Sequence, residues 1–325
     1  MTELERYLAE EIAEDHVDGI ITRREAMRRL TLLGVGATAA AGMITAEADA
    51  RTRGKNGGGD RGPGHGHDGG GGHGGGGHGH PDRAVTAWAP VATTPITFAG
   101  PRGNLLGAWA QAATPKVKGG VLVIHENRGL TPHIANVAGR FAANGFSALA
   151  LDLLSQEGGT AAFPDEAAIM AKLSEISATP ESAKRFDEDM KAAITEIAKR
   201  VGRHTPINAI GFCFGGGMIW RLLVAKETRL SAAAPFYGPF PSDGDVRGIK
   251  ADVLGVFAGV DDRVNATRET ARAALEAARV DYEILTFTEA QHAFFNDTNP
   301  ARFNAPAAEQ AWLRVNDWFA QRDRN

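Results

Sequence analysis

Between an apolar run, Ile207 to Ile210, and a helix-like run, Met218 to Ala225, the chain reads Gly211-Phe212-Cys213-Phe214-Gly215-Gly216-Gly217. Taken as strand, sharp turn and helix, this stretch sets Cys213 on an elbow. The central residue is forced into a strained backbone conformation, and bulky neighbours would collide with the adjoining strand and helix. A turn of this form presents a nucleophile, here a cysteine in place of serine. Cys213 is the only cysteine in the chain, so there is no intramolecular disulfide framework. Without the elbow, a lone cysteine would read equally well as a small buried apolar residue.

The 325 residues, 43% of them hydrophobic, are enough for one large core, and the net charge is −4. Mild acidity without a basic stripe and interleaved aromatics gives no reason to expect nucleic acid as a partner.

The N-terminus reads as an address rather than as part of the fold. Residues 1–21 are polar and acidic with a weak helical pattern, Leu4, Tyr7, Leu8 and Ile12. Thr22-Arg23-Arg24-Glu25-Ala26-Met27-Arg28-Arg29-Leu30 follows, and its adjacent arginines before a moderately apolar run resemble a twin-arginine export signal. The run from Leu30 to about Ala46 is diluted by glycine, alanine and threonine, and is weak for a membrane span, which needs about 20 strongly apolar residues. Ala48-Asp49-Ala50 has the small-x-small form of a cleavage site. Residues 1–50 are therefore expected to direct the chain through the twin-arginine machinery to the periplasm or beyond, with cleavage near Ala50. Residues 51–84 form a Gly/His-rich tract with His65, His67, His73, His78 and His80. Too little apolar surface is present to offset chain entropy, so disorder is expected. The histidines could capture metal adventitiously, but no pattern fixes a geometry, and neither a metal site nor a cofactor is expected.

From residue 85 to 325 strands alternate with helices after an opening hairpin. Pro95–Phe98 and Leu105–Ala110 make the hairpin; Gly120–Ile124, Phe146–Leu151, Ile207–Ile210, Ala232–Phe236, Val253–Ala258 and Tyr282–Phe287 are the later strands. Helices are expected over His133–Asn144, Glu181–Arg200, Glu269–Arg279 and Ala305–Gln321, with an irregular polar stretch before Glu181. The pattern predicts a doubly wound, mostly parallel α/β sheet. Such sheets bind ligands at the carboxyl ends of their strands. Asp261 and His292 each follow a strand there, so the order Cys213, Asp261, His292 is nucleophile, acid, base. Asp262 is the rival for the acid. A histidine can take the thiol proton, and a carboxylate fixes the imidazole tautomer and stabilises its charged form.

Four segments together resemble the dienelactone hydrolase family of α/β-hydrolases from about residue 90 onward, which implies the α/β-hydrolase fold. They are Gly211–Gly216, His125-Glu126, Asp261-x-x-Val264 and Gln291-His292-x-Phe294. The resemblance implies hydrolysis of a lactone or carboxylic ester, a small-molecule substrate, through a thioester on Cys213. It implies that Glu126 holds the resting cysteine, and that the backbone N–H groups of Phe214 and Asn127 form the oxyanion hole. Family members that cleave dienelactone hold its carboxylate with arginines, one shortly after the histidine. Here Ala293-Phe294-Phe295-Asn296 stands in that place, with no arginine before Arg302. Arg128 could supply a cation at the pocket mouth, and Tyr237 and Trp220 could line it. The competing reading is a non-catalytic binding protein on the same scaffold, with the His-rich tract capturing metal.

Overall fold

The computed structural model describes residues 1–56 and 88–321. Three helices open the chain: α1 (Glu3–Val17), α2 (Arg23–Leu32) and α3 (Ala37–Asn56). A capping box starts α1, with Thr2 accepting from the Glu5 N–H and the Glu5 carboxylate accepting from the Thr2 N–H. Ala9, Ile12 and Ala13 of α1 pack with Ala26, Leu30, Ala40 and Ile44 in a small core of their own. Residues 1–50 are thus packed structure, where the sequence reading expected only an address. The weak pattern of Leu4, Tyr7, Leu8 and Ile12 is the face that α1 turns inward, and Tyr7 and Leu8 reach the main core. The helix α3 runs to Asn56, six residues into the tract expected to begin at 51; the rest of that tract, with its five histidines, lies outside the described residues. Among the described residues no helix is long and apolar enough to cross a membrane.

Eight strands then build one sheet. They are β1 (Thr94–Gly100), β2 (Gly103–Ala110), β3 (Gly119–Ile124), β4 (Phe146–Asp152), β5 (Ile207–Phe212), β6 (Leu230–Phe236), β7 (Asp252–Val260) and β8 (Tyr282–Gln291), in the spatial order β1-β2-β4-β3-β5-β6-β7-β8. The hairpin β1–β2 and the pair β2–β4 are antiparallel; every pair from β4 to β8 is parallel. Every residue of β3, β4 and β5 is buried, which is why these strands read as continuous apolar runs.

Helices flank the sheet. The helix α4 (Pro132–Ala143) begins at Thr131, whose hydroxyl accepts from Ile134, and has proline at its first position. Next come α5 (Glu166–Ser177), α6 (Pro180–Val201), α7 (Phe214–Val224), α8 (Asp262–Asn265), α9 (Arg268–Ala278) and α10 (Ala305–Gln321). Phe141 of α4 packs on Trp312 of α10 at 4.6 Å between ring centres, and Phe186 of α6 meets Phe214 of α7 edge-on. The stretch expected to be irregular before Glu181 holds two short 3-10 turns and α5. No single apolar stripe marks α5, because it packs on α6 and on the N-terminal helices at once. The Asp165 carboxylate caps it, accepting from the Ala168 N–H at 2.8 Å.

Candidate active site

Cys213 sits between the end of β5 and the first residue of α7, at φ 57° and ψ −119°. That is an unfavourable conformation for a residue with a Cβ, and the surroundings enforce it. The Cys213 N–H donates to the Phe236 carbonyl at 3.0 Å, and the Gly217 N–H donates to the Cys213 carbonyl at 3.1 Å. Glycine is required on both sides. A Cβ on Gly211 would lie 2.2 Å from the Gly215 carbonyl oxygen, and one on Gly215 would lie 2.5 Å from that of Ile124. Phe214 opens α7, so its N–H has no acceptor within the helix.

Asp261 directly follows β7. One oxygen accepts from the Val264 N–H at 3.1 Å and so caps α8; the other lies 2.6 Å from His292 Nδ1. Asp262 is exposed in the first turn of α8. His292 directly follows β8 and is fully buried, with the Tyr237 ring packed edge-on against it at 5.1 Å. A ring nitrogen of His292 lies within 4.8 Å of Cys213 Sγ. The carboxyl ends of β5, β7 and β8 therefore deliver thiol, carboxylate and imidazole to one point.

The loop after β3 brings Glu126, Asn127 and Arg128 to the same place, where they line a space of only about 10 Å³ with Cys213, Glu11, Asn296 and Arg302. His125 is a structural tie: its Nδ1 meets the Glu126 carbonyl at 2.6 Å and its Nε2 accepts from the Leu153 N–H at 3.2 Å. Glu126 is bonded to Asn296, whose Nδ2 donates to it at 2.8 Å, rather than to Cys213 as the resemblance implied. Its other oxygen makes no hydrogen bond among the described residues. Arg128 is not open at a pocket mouth; it faces Asp15 at 3.8 Å and Glu166 at 3.6 Å. Tyr237 is buried as a wall behind His292, and Trp220 packs in the core against Phe240.

Sequence reading missed the residues that α1 adds. The Tyr7 hydroxyl donates to Cys213 Sγ at 3.3 Å and lies 3.5 Å from His292 Nε2. One turn on, Glu11 Oε2 lies 3.4 Å from His292 Nε2. Arg263 Nη2 donates to Glu11 at 2.5 Å and to Glu14 at 2.8 Å, and its guanidinium covers the Tyr7 ring at 4.4 Å. Arg302 Nη1 donates to Glu11 at 3.2 Å, Nε donates to Asp18 at 2.8 Å, and Nη2 lies 3.2 Å from Asp15. The available signal was the i, i+4 spacing of Tyr7 and Glu11 on the inward face of α1.

These contacts set the charge state. Burial opposes a charge on His292, yet the Glu11 and Asp261 carboxylates push its pKa well above the ordinary histidine value. Burial first, and the Glu11 carboxylate second, push the Cys213 thiol up, against the pull of His292. Burial likewise opposes ionisation of Asp261, but His292 holds its carboxyl below the usual range. Both shifts favour a charged imidazole beside a neutral thiol. Glu11, Cys213 and His292 lie close enough to share a metal ion, as do Glu14, Asp261 and His292. The donor sets do not suit a cation, because Glu11 and Glu14 are already paired with guanidinium groups and Asp261 with the imidazole.

The pattern of the dienelactone hydrolase family matches residues 107–322. A protein of Escherichia coli O157:H7 that bears the provisional name carboxymethylenebutenolidase is 32% identical over 227 residues, covering 65% of this chain and 82% of that protein. The crystal structure of a provisionally named dienelactone hydrolase from Klebsiella pneumoniae subsp. pneumoniae MGH 78578 superposes with a TM-score of 0.60 at 26% identity, over 71% of this chain and all of that one. A dienelactone hydrolase-like promiscuous phosphotriesterase from metagenomic libraries shares the fold, with a TM-score of 0.62 at 23% identity over 72% of this chain and 98% of its own. With its elbow cysteine, its strand-end residues and its match over two thirds of its length, this chain belongs to the dienelactone hydrolase family.

Proposed function

We propose that the chain hydrolyses lactones or carboxylic esters through a Cys213–His292–Asp261 triad. The observation that carries this reading is the 2.6 Å contact between Asp261 and His292 Nδ1, which leaves Nε2 turned toward an elbow cysteine. Cys213 gives its proton to His292 and attacks the carbonyl carbon. The tetrahedral oxyanion is held by the N–H groups of Phe214 and Asn127, each worth about 3 kcal/mol by the behaviour of other acyl-transfer sites. The oxyanion collapses, the C–O bond breaks, and His292 returns the proton to the leaving alkoxide. Water, deprotonated by His292, then attacks the thioester; the acid leaves and the thiol is restored. Asp261 fixes the imidazole tautomer throughout and stabilises its charged form. Glu126, beside Cys213 and with one oxygen that makes no hydrogen bond among the described residues, is the group that would turn toward the thiol once substrate enters.

The test is a panel of dienelactone, simple lactones and p-nitrophenyl esters on the chain cut near Ala50 and on the same form of Cys213→Ala. Hydrolysis is expected to vanish in the variant while its circular dichroism stays unchanged, and the parent is expected to show a transient acyl adduct by intact mass. Full activity in the variant would sink the mechanism.

The same reading has the protein exported through the twin-arginine route to the periplasm or beyond, on the strength of Arg23-Arg24 and Ala48-Asp49-Ala50. Cleavage near Ala50 would remove α1 and α2 with most of α3. An exported form that begins near Arg51 is the expected outcome, read by amino-terminal sequencing of fractionated cells; an intact cytoplasmic chain would reject this part.

A further inference from the structure

The helix α1 lies outside residues 107–322, the span matched by the family pattern, and yet it closes the site. Its acidic side meets three arginines at the carboxyl end of the sheet: Arg128 in the loop after β3, Arg263 in α8 after β7 and Arg302 in the loop after β8. Between those ion pairs, the Tyr7 hydroxyl contacts both the Cys213 sulfur and His292 Nε2, the two groups that a substrate has to reach. What remains beside the sulfur, about 10 Å³, is too small for any substrate. Even one water needs roughly 10–15 Å³ for its centre.

We infer that α1 is a built-in inhibitory segment: Tyr7 and Glu11 occupy the acyl site, the clasp of Glu11, Glu14, Asp15 and Asp18 on Arg128, Arg263 and Arg302 holds them there, and hydrolysis requires α1 to leave. This rests on the hydrolase reading above. The seal acts on chemistry as well as on access. The Tyr7 O–H donates into the sulfur lone pair that would attack. Glu11 gives His292 a second carboxylate partner at 3.4 Å, which blocks Nε2 and favours the protonated imidazole over one free to accept the thiol proton. A cut near Ala50 would free the segment and leave three arginines around an open site. An export signal and an inhibitor would then be one piece of chain, with the enzyme silent until processed.

The experiment uses the full chain and two variants. Asp15→Lys sets a cation against Arg128 and Arg302 without touching the triad. The double variant Tyr7→Ala with Glu11→Ala empties the site itself. Two readouts are followed: the rate at which iodoacetamide alkylates the single thiol, by intact mass, and kcat/KM on p-nitrophenyl acetate. Both variants are expected to raise both quantities at least tenfold, and a peptide of residues 1–18 added in trans is expected to lower them again. Unchanged alkylation in variants that keep the parent's near-ultraviolet circular dichroism overturns the proposal. So does faster alkylation with slower hydrolysis, which would make Tyr7 and Glu11 part of the working machinery. Alkylation that rises tenfold when neither the parent nor the variants hydrolyse any ester or lactone supports the seal and overturns the hydrolase reading, so the two failures are distinguishable.

Discussion

Asp15 shows how finely single residues balance the closed site. It is buried between Arg302 at 3.2 Å and Arg128 at 3.8 Å, with Glu11 and Glu14 also near. Burial is the largest influence, and it pushes the Asp15 pKa from 3.8 up to about 6 despite the arginines. A carboxyl whose pKa rises on docking favours docking below its ordinary value, and that contribution is lost as pH climbs through about 6. A difference of about two pH units is worth about 3 kcal/mol. His292 acts in the same sense, since Glu11 raises its pKa and α1 therefore grips a protonated imidazole. Glu11 acts in the opposite sense: burial opposes its charge, but His292, Arg263 and Arg302 hold it below the ordinary value, so its contribution fails only in stronger acid. Between pH 8 and pH 5 the first two decide, and α1 should dock more tightly as pH falls. Hydrogen exchange checks this. Protection of the α1 amides, corrected for intrinsic exchange, should rise about tenfold or more from pH 8 to pH 5.5; a fall would mean that Asp15 does not take up a proton on docking. Among the site residues, Cys213, Asp261 and His292 were legible because each follows a strand and their order is fixed by the fold. The partner of Glu126 was not, because Asn296 reaches it across 170 positions of sequence.

At the scale of elements, legibility followed burial. Strands covered on both faces, such as β3 and β5, announce themselves as apolar runs, and their boundaries were read to within about two residues. The helix α5 was not read, for it divides its apolar residues between α6 and the N-terminal helices, and the main and small cores take different members of it: Ile169, Leu173 and Ile176 against Met170. The helix α1 was misjudged for a related reason. Its inward face carries Glu11, Glu14 and Asp15, all nearly buried, and buried carboxylates look solvated in a sequence. Their burial is tolerable only because Arg263 and Arg302 meet them, and those arginines lie more than 240 residues away. No local pattern reports a contact of that range.

For the whole molecule, the two hydrophobic cores imply two steps of unfolding. The main core runs through the sheet and its flanking helices; the small one joins α1, α2 and α3 and touches the rest through Met170. Beyond that, the N-terminal helices are tied on by Tyr7 and Leu8, by the arginine clasp, and by Arg28 and Arg29 reaching Asp165 and Glu166 at 3.2 and 3.5 Å. The ion pairs of Arg28 lie near the surface and are worth about 0.2–1 kcal/mol each. Far less apolar surface secures these helices than secures the sheet, so they should come away first, with a shallow dependence on denaturant. The chain carries its own pair of probes for this. All five tryptophans, Trp88, Trp109, Trp220, Trp312 and Trp318, lie outside the N-terminal helices, so their fluorescence follows the sheet. The single thiol lies beneath α1, so its alkylation follows undocking. In a urea titration, the rate of alkylation should rise with a midpoint well below that of the fluorescence change. The gap should narrow as pH is lowered toward 5.5, because protonation of Asp15 and His292 strengthens the docked state. Coincident midpoints at every pH would mean that α1 and the sheet unfold as one unit, and that the site opens only when the enzyme is lost.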